Sequence, residues 1–144
     1  MTTRNLPKRP IALLTATTAT AALGASAATA AGAAEHIEIR RTRQLLLRVR
    51  DGRVTQIFAA TTGMRGFTTP AGSFRIANKQ RQSWSHEYKV WLRWASYFDT
   101  RRGLAIHAGE IRPGPASHDC VRVPAVFARQ LYDAMAPGTA IVIR

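Results

Sequence analysis

From residue 35 onward most apolar positions recur at intervals of two, the period of a strand with one buried face. "IEIRR" alternates apolar and charged residues from Ile37. "QLLLRVRDGRVTQIFAAT" places Asp51 and Gly52 between two β-rich runs, which predicts a hairpin closed by a type I′ turn. In "TTGMRGFTTPAGSFRI", Gly63, Gly66, Pro70 and Gly72 predict a loop that returns to a strand over Ser73–Ile76. "GLAIHAG" has the look of a short buried strand and "GTAIVIR" of a closing one. Only "PAVFARQLYDAM" changes the period. Its apolar residues Val126, Phe127, Leu131, Ala134 and Met135 fall at helical spacing, and Pro124 stands where a first helical turn needs no N–H. The stretch from Asn78 to Thr100 fits neither period. It concentrates Trp84, Tyr88, Trp91, Trp94, Tyr97 and Phe98 in a run too polar for a core helix, and is expected to be an irregular excursion over a groove. No internal repeat and no linker follows Glu35.

The first 34 residues read differently. Arg4, Lys8 and Arg9 precede an uncharged run from Ile11 to Ala34, with "ATA" ending at Ala30 and "AGA" at Ala33 as cleavage-like sites. This is the pattern of a signal peptide. A retained membrane anchor is the alternative, although the latter half of the run is only weakly apolar. Residues 1–34 are therefore assigned to export, with the rest of the chain in the periplasm or cell envelope, and residues 35–144 to one domain.

From Glu35 onward the chain keeps 18 of its 21 basic residues and all eight acids, a net charge of +10. The charges are scattered along strands and loops and no nucleic-acid motif is present, so nucleic acid is not an expected partner. A polyanionic envelope suits an exported basic protein better, beside the plainer reading of a solvated surface. A membrane is a partner only if the leader is retained.

The sequence holds one cysteine, in "PASHDCVRVP". A single Cys excludes an intrachain disulfide and a structural zinc site built on paired thiolates; no metal or cofactor site is expected. Cys120 falls between the strand ending at His107 and the helix beginning near Pro124. A helix N-terminus and nearby cations lower a thiol pKa, so a thiolate near neutral pH is expected. His107 and His118 supply candidate bases. The residues by themselves leave two readings open, a nucleophile or a small buried hydrophobe beside two histidines.

The array "GLAIHAGEIRPGPASHDCVRVP" resembles the active-site segment of the L,D-transpeptidase (YkuD-type) catalytic domain, an upstream His followed by Ser/Thr-His-Gly-Cys-x-Arg/Asn. "ATTGMRGFTTPAGSFRI" is similar to a second motif of that family, S-T-G-x-x-G-x-x-T-P-x-G-x-F-x-I. The resemblance runs from about Ile37 to Arg144. It implies a mainly β domain, a β-sandwich with a short helix after the catalytic cysteine, acting on peptidoglycan stem peptides without a cofactor. It makes Cys120 the nucleophile and His107 the proton donor and acceptor, and gives His118 a positioning role in the pocket. Ser117 and Arg122 would brace the loop or hold a substrate carboxylate. For Arg122 a guanidinium buried against loop carbonyls is the competing reading. The backbone N–H groups of Asp119 and Cys120 are where an oxyanion hole would be expected.

Asp119 departs from the pattern, which has Gly there. Its carboxylate would oppose a neighbouring thiolate and an oxyanion. Nine residues separate His107 from Ser117, a short spacing that trims the loop over the pocket. The expected reaction is transfer of a stem acyl group to an acceptor amine, a 3-3 cross-link. Two alternatives stand beside it: the same thioacyl chemistry used for L,D-carboxypeptidase action, D-amino-acid exchange or lipoprotein attachment, and a peptidoglycan-binding paralogue weakened by Asp119.

Overall fold

The computed structural model describes residues 34–144, so the expected leader lies outside the described residues but for Ala34. In chain order the elements are β1 (Glu35–Arg40), β2 (Leu45–Arg50), β3 (Arg53–Ala59), β4 (Gly72–Arg75), β5 (Asn78–Ser85), β6 (Val90–Asp99), β7 (Leu104–Ala108), β8 (Val121–Val123), α1 (Ala125–Ala134) and β9 (Ala140–Ile143). They form a five-stranded sheet, β3-β2-β1-β9-β4, and a four-stranded sheet, β5-β6-β7-β8. Among the described residues no helix is long and apolar enough to cross a membrane.

The predicted β2–β3 hairpin is present, with Asp51 at φ 51° and Gly52 at φ 72°, as a type I′ turn requires. Alternation along each strand sends one side inward. Ile37, Ile39, Leu46, Ile141 and Ile143 of the first sheet meet Phe98, Leu104, Ile106, Val121 and Val123 of the second in one core. Helix α1 adds Ala128 and Leu131, with Met135 just past its end. Phe127 reaches Phe58 of β3 at 4.6 Å between ring centroids. Val126, counted above on the apolar face, instead points outward and is 62% exposed, and Ala134 is exposed as well.

Residues 78–99 correct the expectation of an irregular excursion, because they form the antiparallel β5–β6 hairpin. β5 is an edge strand with no fully buried residue, so its Lys, Gln, Arg and Ser show no apolar alternation to read. In β6 the alternation is interrupted at Trp94, whose φ is 55°, while the pairing with β5 keeps one register on either side of it. The ring lies under the guanidinium groups of Arg81, at 5.0 Å, and Arg129, at 5.4 Å, which share it as a cation–π partner. The helix starts near Pro124, as expected, but a strand precedes it. Strand β8 stands between Cys120 and α1, which begins at Ala125.

Candidate active site

Strands β7 and β8 run parallel with His107 opposite Arg122. Since Leu104, Ile106, Val121 and Val123 face the core, the alternate residues face the other side of the sheet. That side presents His107 and Arg122, and Cys120, two residues before Arg122, shares it. All three line a cleft of about 940 Å³ with Ser117, His118 and Asp119. The sheet therefore brings the six predicted residues to one place. His107 and Cys120 are 6% and 9% exposed, just open to the cleft.

The loop carrying Cys120 is held by the glycine- and threonine-rich segment. Thr61 and Arg122 exchange backbone hydrogen bonds at 2.9 Å each, Met64 N–H donates to Ser117 O at 2.9 Å, and Asp119 N–H donates to Phe67 O at 3.1 Å. Thr69 is fully buried; its hydroxyl accepts from Gly63 N–H and donates to Asp119 O, both at 2.8 Å. A side chain at Gly63 has no room, because a Cβ there would sit 1.9 Å from Phe67 O and 2.6 Å from Thr69 N. Ser117, also buried, donates from its hydroxyl to the carbonyl of Cys120, which fits the loop-bracing reading. The stem of Arg122 packs on Gly109, where a Cβ would approach its Cδ to 2.8 Å, and its side chain lines the cleft. Among the described residues it forms no ion pair.

His107 Nδ1 lies 2.8 Å from the carbonyl of its neighbour Ala108, which fixes Nδ1–H as the donor and leaves Nε2 free of a proton. Burial, reinforced by the Arg122 charge, pushes its pKa down from 6.5 to about 4, so the ring is neutral at pH 7 and able to accept a proton. The thiol corrects the expectation of a low pKa. Burial pushes Cys120 up, and the Asp119 charge adds to this against opposing help from the Ala105 backbone and Arg122. The helix dipole contributes little, since α1 starts five residues beyond Cys120 and such a field fades within a turn. The resting pair is a neutral thiol and a neutral imidazole. The expected oxyanion donors are corrected too: Asp119 N–H is bonded to Phe67 O and Cys120 N–H to His118 O at 2.7 Å.

Asp119 adopts φ 65° at the centre of that turn, a left-handed conformation that glycine enters without cost. Its Oδ2 meets Arg102 at 3.2 Å. Arg102, in the β6–β7 turn, escaped the sequence reading, because an ion pair seventeen residues apart has no local signature. The tip of the β5–β6 hairpin supplies a residue that the sequence placed over a groove without giving it a part in the site. Tyr88 stacks on His118 at 4.5 Å and 17° between planes, while Phe67 meets that imidazole edge-on at 4.9 Å. His118 is thus a fixed wall of the cleft. Trp84 and Trp91 extend the wall, edge to face at 5.1 Å. Among the described residues no group of three or more His, Cys, Asp or Glu side chains is placed to hold a metal ion.

The chain belongs to the YkuD family, the L,D-transpeptidase catalytic domain, whose model matches residues 34–143. Solved structures agree. An L,D-transpeptidase from Stackebrandtia nassauensis superposes with a TM-score of 0.72 at 29% identity, over 79% of this chain and 57% of that one. One from Xylanimonas cellulosilytica gives 0.70 at 31% identity, over 78% and 61%. An L,D-transpeptidase from Mycobacterium smegmatis, at 21% identity, shares the fold with a TM-score of 0.73 over 78% and 59%. The chain thus spans about six-tenths of the length of these proteins. No curated protein matches the chain.

Proposed function

We propose that this protein is an exported cysteine L,D-transpeptidase that acts on tetrapeptide stems of peptidoglycan in the cell envelope. The observation that carries the reading is the placement of Cys120 and a neutral, oriented His107 on one sheet face at the floor of the cleft. Because the thiol rests protonated, attack and deprotonation go together. As Cys120 Sγ bonds to the carbonyl carbon at the diaminopimelyl L-centre, its proton passes to His107 Nε2. The C–N bond to the terminal D-Ala then breaks, and His107 returns that proton to the departing amine. An acceptor amine from a second stem adds to the thioester and gives its proton to His107. The S–C bond breaks, the thiol regains the proton, and a 3-3 cross-link remains.

Arg122, whose side chain faces the cleft without an ion-pair partner among the described residues, is suited to a substrate carboxylate. The mature charge of +10 suits a polyanionic envelope. One structural neighbour is described in complex with imipenem and another, from Mycobacterium tuberculosis, with a faropenem-derived adduct. Such β-lactams offer a direct test. Intact-mass spectrometry after incubation with a carbapenem should show one adduct, absent from Cys120→Ala. An equal adduct on the variant would overturn the nucleophile assignment, and muropeptide products with a 3-3 linkage identify the acceptor.

A further inference from the structure

Where the family pattern has glycine, this chain places a carboxylate beside its thiol, and the structure shows what has been set against it. Asp119 Oδ2 is paired with Arg102 at 3.2 Å, while Oδ1 is enclosed with no hydrogen-bond partner among the described residues. Among the described residues Arg102 is therefore the one cation in contact with this carboxylate. The turn bearing it is itself fixed, since Asp99 Oδ1 accepts from the backbone N–H groups of Arg101 and Arg102, both at 3.2 Å. The next residue, Gly103, presents its carbonyl to Cys120 Sγ at 3.8 Å. One ion pair thus joins the residue before the nucleophile to the turn that holds the nucleophile's S–H.

We propose that Arg102 is a positioning residue for Cys120, specific to a chain with Asp119: it neutralises that carboxylate and keeps the Gly103 carbonyl against the thiol. Glycine at 119 would make it dispensable. The proposal rests on Cys120 being the nucleophile, as argued above. The other charged or titratable groups lining the cleft include Arg122 on β8, His107 on β7, Glu110 just past β7, His118 in the loop of Cys120, Arg101 in the β6–β7 turn, and His86, Glu87 and Tyr88 at the hairpin tip. None of them is within ion-pair distance of Asp119.

The test is a cycle of four proteins, native, Arg102→Ala, Asp119→Gly and the double variant, each followed by the pH midpoint of Cys120 alkylation with iodoacetamide. Arg102→Ala should raise the midpoint by roughly one unit, a fall of about tenfold in thiolate at pH 7. Asp119→Gly should lower it, and in that background removing Arg102 should change it little. Arg102→Lys, which keeps the charge, should restore most of the native midpoint. Equal shifts from Arg102→Ala in both backgrounds would reduce Arg102 to one more cation near the thiol, and no shift in either would make the pair a solvated surface contact; both overturn the proposal. Alkylation needs no peptidoglycan, so this result stands apart from the carbapenem adduct that tests the function itself.

Discussion

The two walls of the cleft are built on opposite principles. The loop bearing Ser117 to Cys120 is stitched to residues 61–69 by backbone pairs and by the buried hydroxyl of Thr69, and it tolerates no side chain at Gly63. The β5–β6 hairpin across from it has an edge strand with no buried residue and carries exposed Trp84, Val90 and Trp91. It touches the loop through side chains, Tyr88 on His118. The difference teaches where precision is spent. Covalent chemistry needs a nucleophile and a base held within a fraction of an ångström, whereas a wall that meets a large substrate can be adjustable.

The rigid wall should break most sharply at Gly63. In Gly63→Ala the new methyl collides with backbone, Phe67 O at 1.9 Å and Thr69 N at 2.6 Å, so no side-chain adjustment relieves it. The expected cost is about 3 kcal/mol or more, the upper end for overpacking a rigid site. Denaturant unfolding should show the loss, with carbapenem acylation collapsing in whatever remains folded. Acylation at the native rate would mean that the loop is far more compliant than its hydrogen bonds imply.

The floor of the cleft carries the next effect, in its response to pH. His107 titrates at about 4 when folded and near 6.5 in an unfolded chain, so between these values the unfolded state binds the extra proton. The stability this group contributes is complete above pH 6.5 and is lost as pH falls toward 4. A difference of about 2.5 units corresponds to about 3 kcal/mol. Urea unfolding at pH 7 and pH 4.5 should show most of that loss in the native protein and much less in His107→Asn, whose amide can still donate to the Ala108 carbonyl. The same titration leaves the base competent down to acidic pH, while the raised thiol makes alkylation of Cys120 accelerate into the alkaline range, above that of an ordinary cysteine.

The two walls also differ in how far the sequence disclosed them. "TTGMRGFTTP" and "SHDC" could be read because backbone geometry fixes their residues: Gly63 by a close approach, Thr69 by two buried bonds, position 119 by a left-handed φ. The Asp51–Gly52 hairpin, the strands of the first sheet and the helix followed from period and turn chemistry, whereas the packing of two sheets was implied by the family resemblance. The hairpin stayed hidden because period depends on a buried face, which β5 lacks, and because the positive φ at Trp94 breaks the alternation of β6. Protonation was misjudged for a related reason. A thiol near a helix start suggests a low pKa, but burial and the interposed β8 are tertiary facts, and they reverse the sign. Arg102 and Tyr88 reach the site only through the fold.

The smallest effect belongs to the adjustable wall, and it separates substrate contact from chemistry. Trp84 and Trp91 are 39% and 55% exposed and meet edge to face, so Trp91→Ala should lose about 0.5–1.5 kcal/mol of aromatic pairing in addition to the burial of its covered half. A carbapenem need only reach Cys120 and should acylate this variant at close to the native rate. A stem tetrapeptide, the proposed substrate, is a larger ligand, and for it KM should rise several-fold with kcat nearly unchanged, the signature of lost uniform binding. Tyr88→Ala should lie between the two walls, because it removes the ring that packs on His118 and so loosens a residue beside the nucleophile. If Trp91→Ala slowed the small carbapenem as strongly as Tyr88→Ala, the hairpin would be acting on the reacting groups themselves, and the division between a rigid and an adjustable wall would fall.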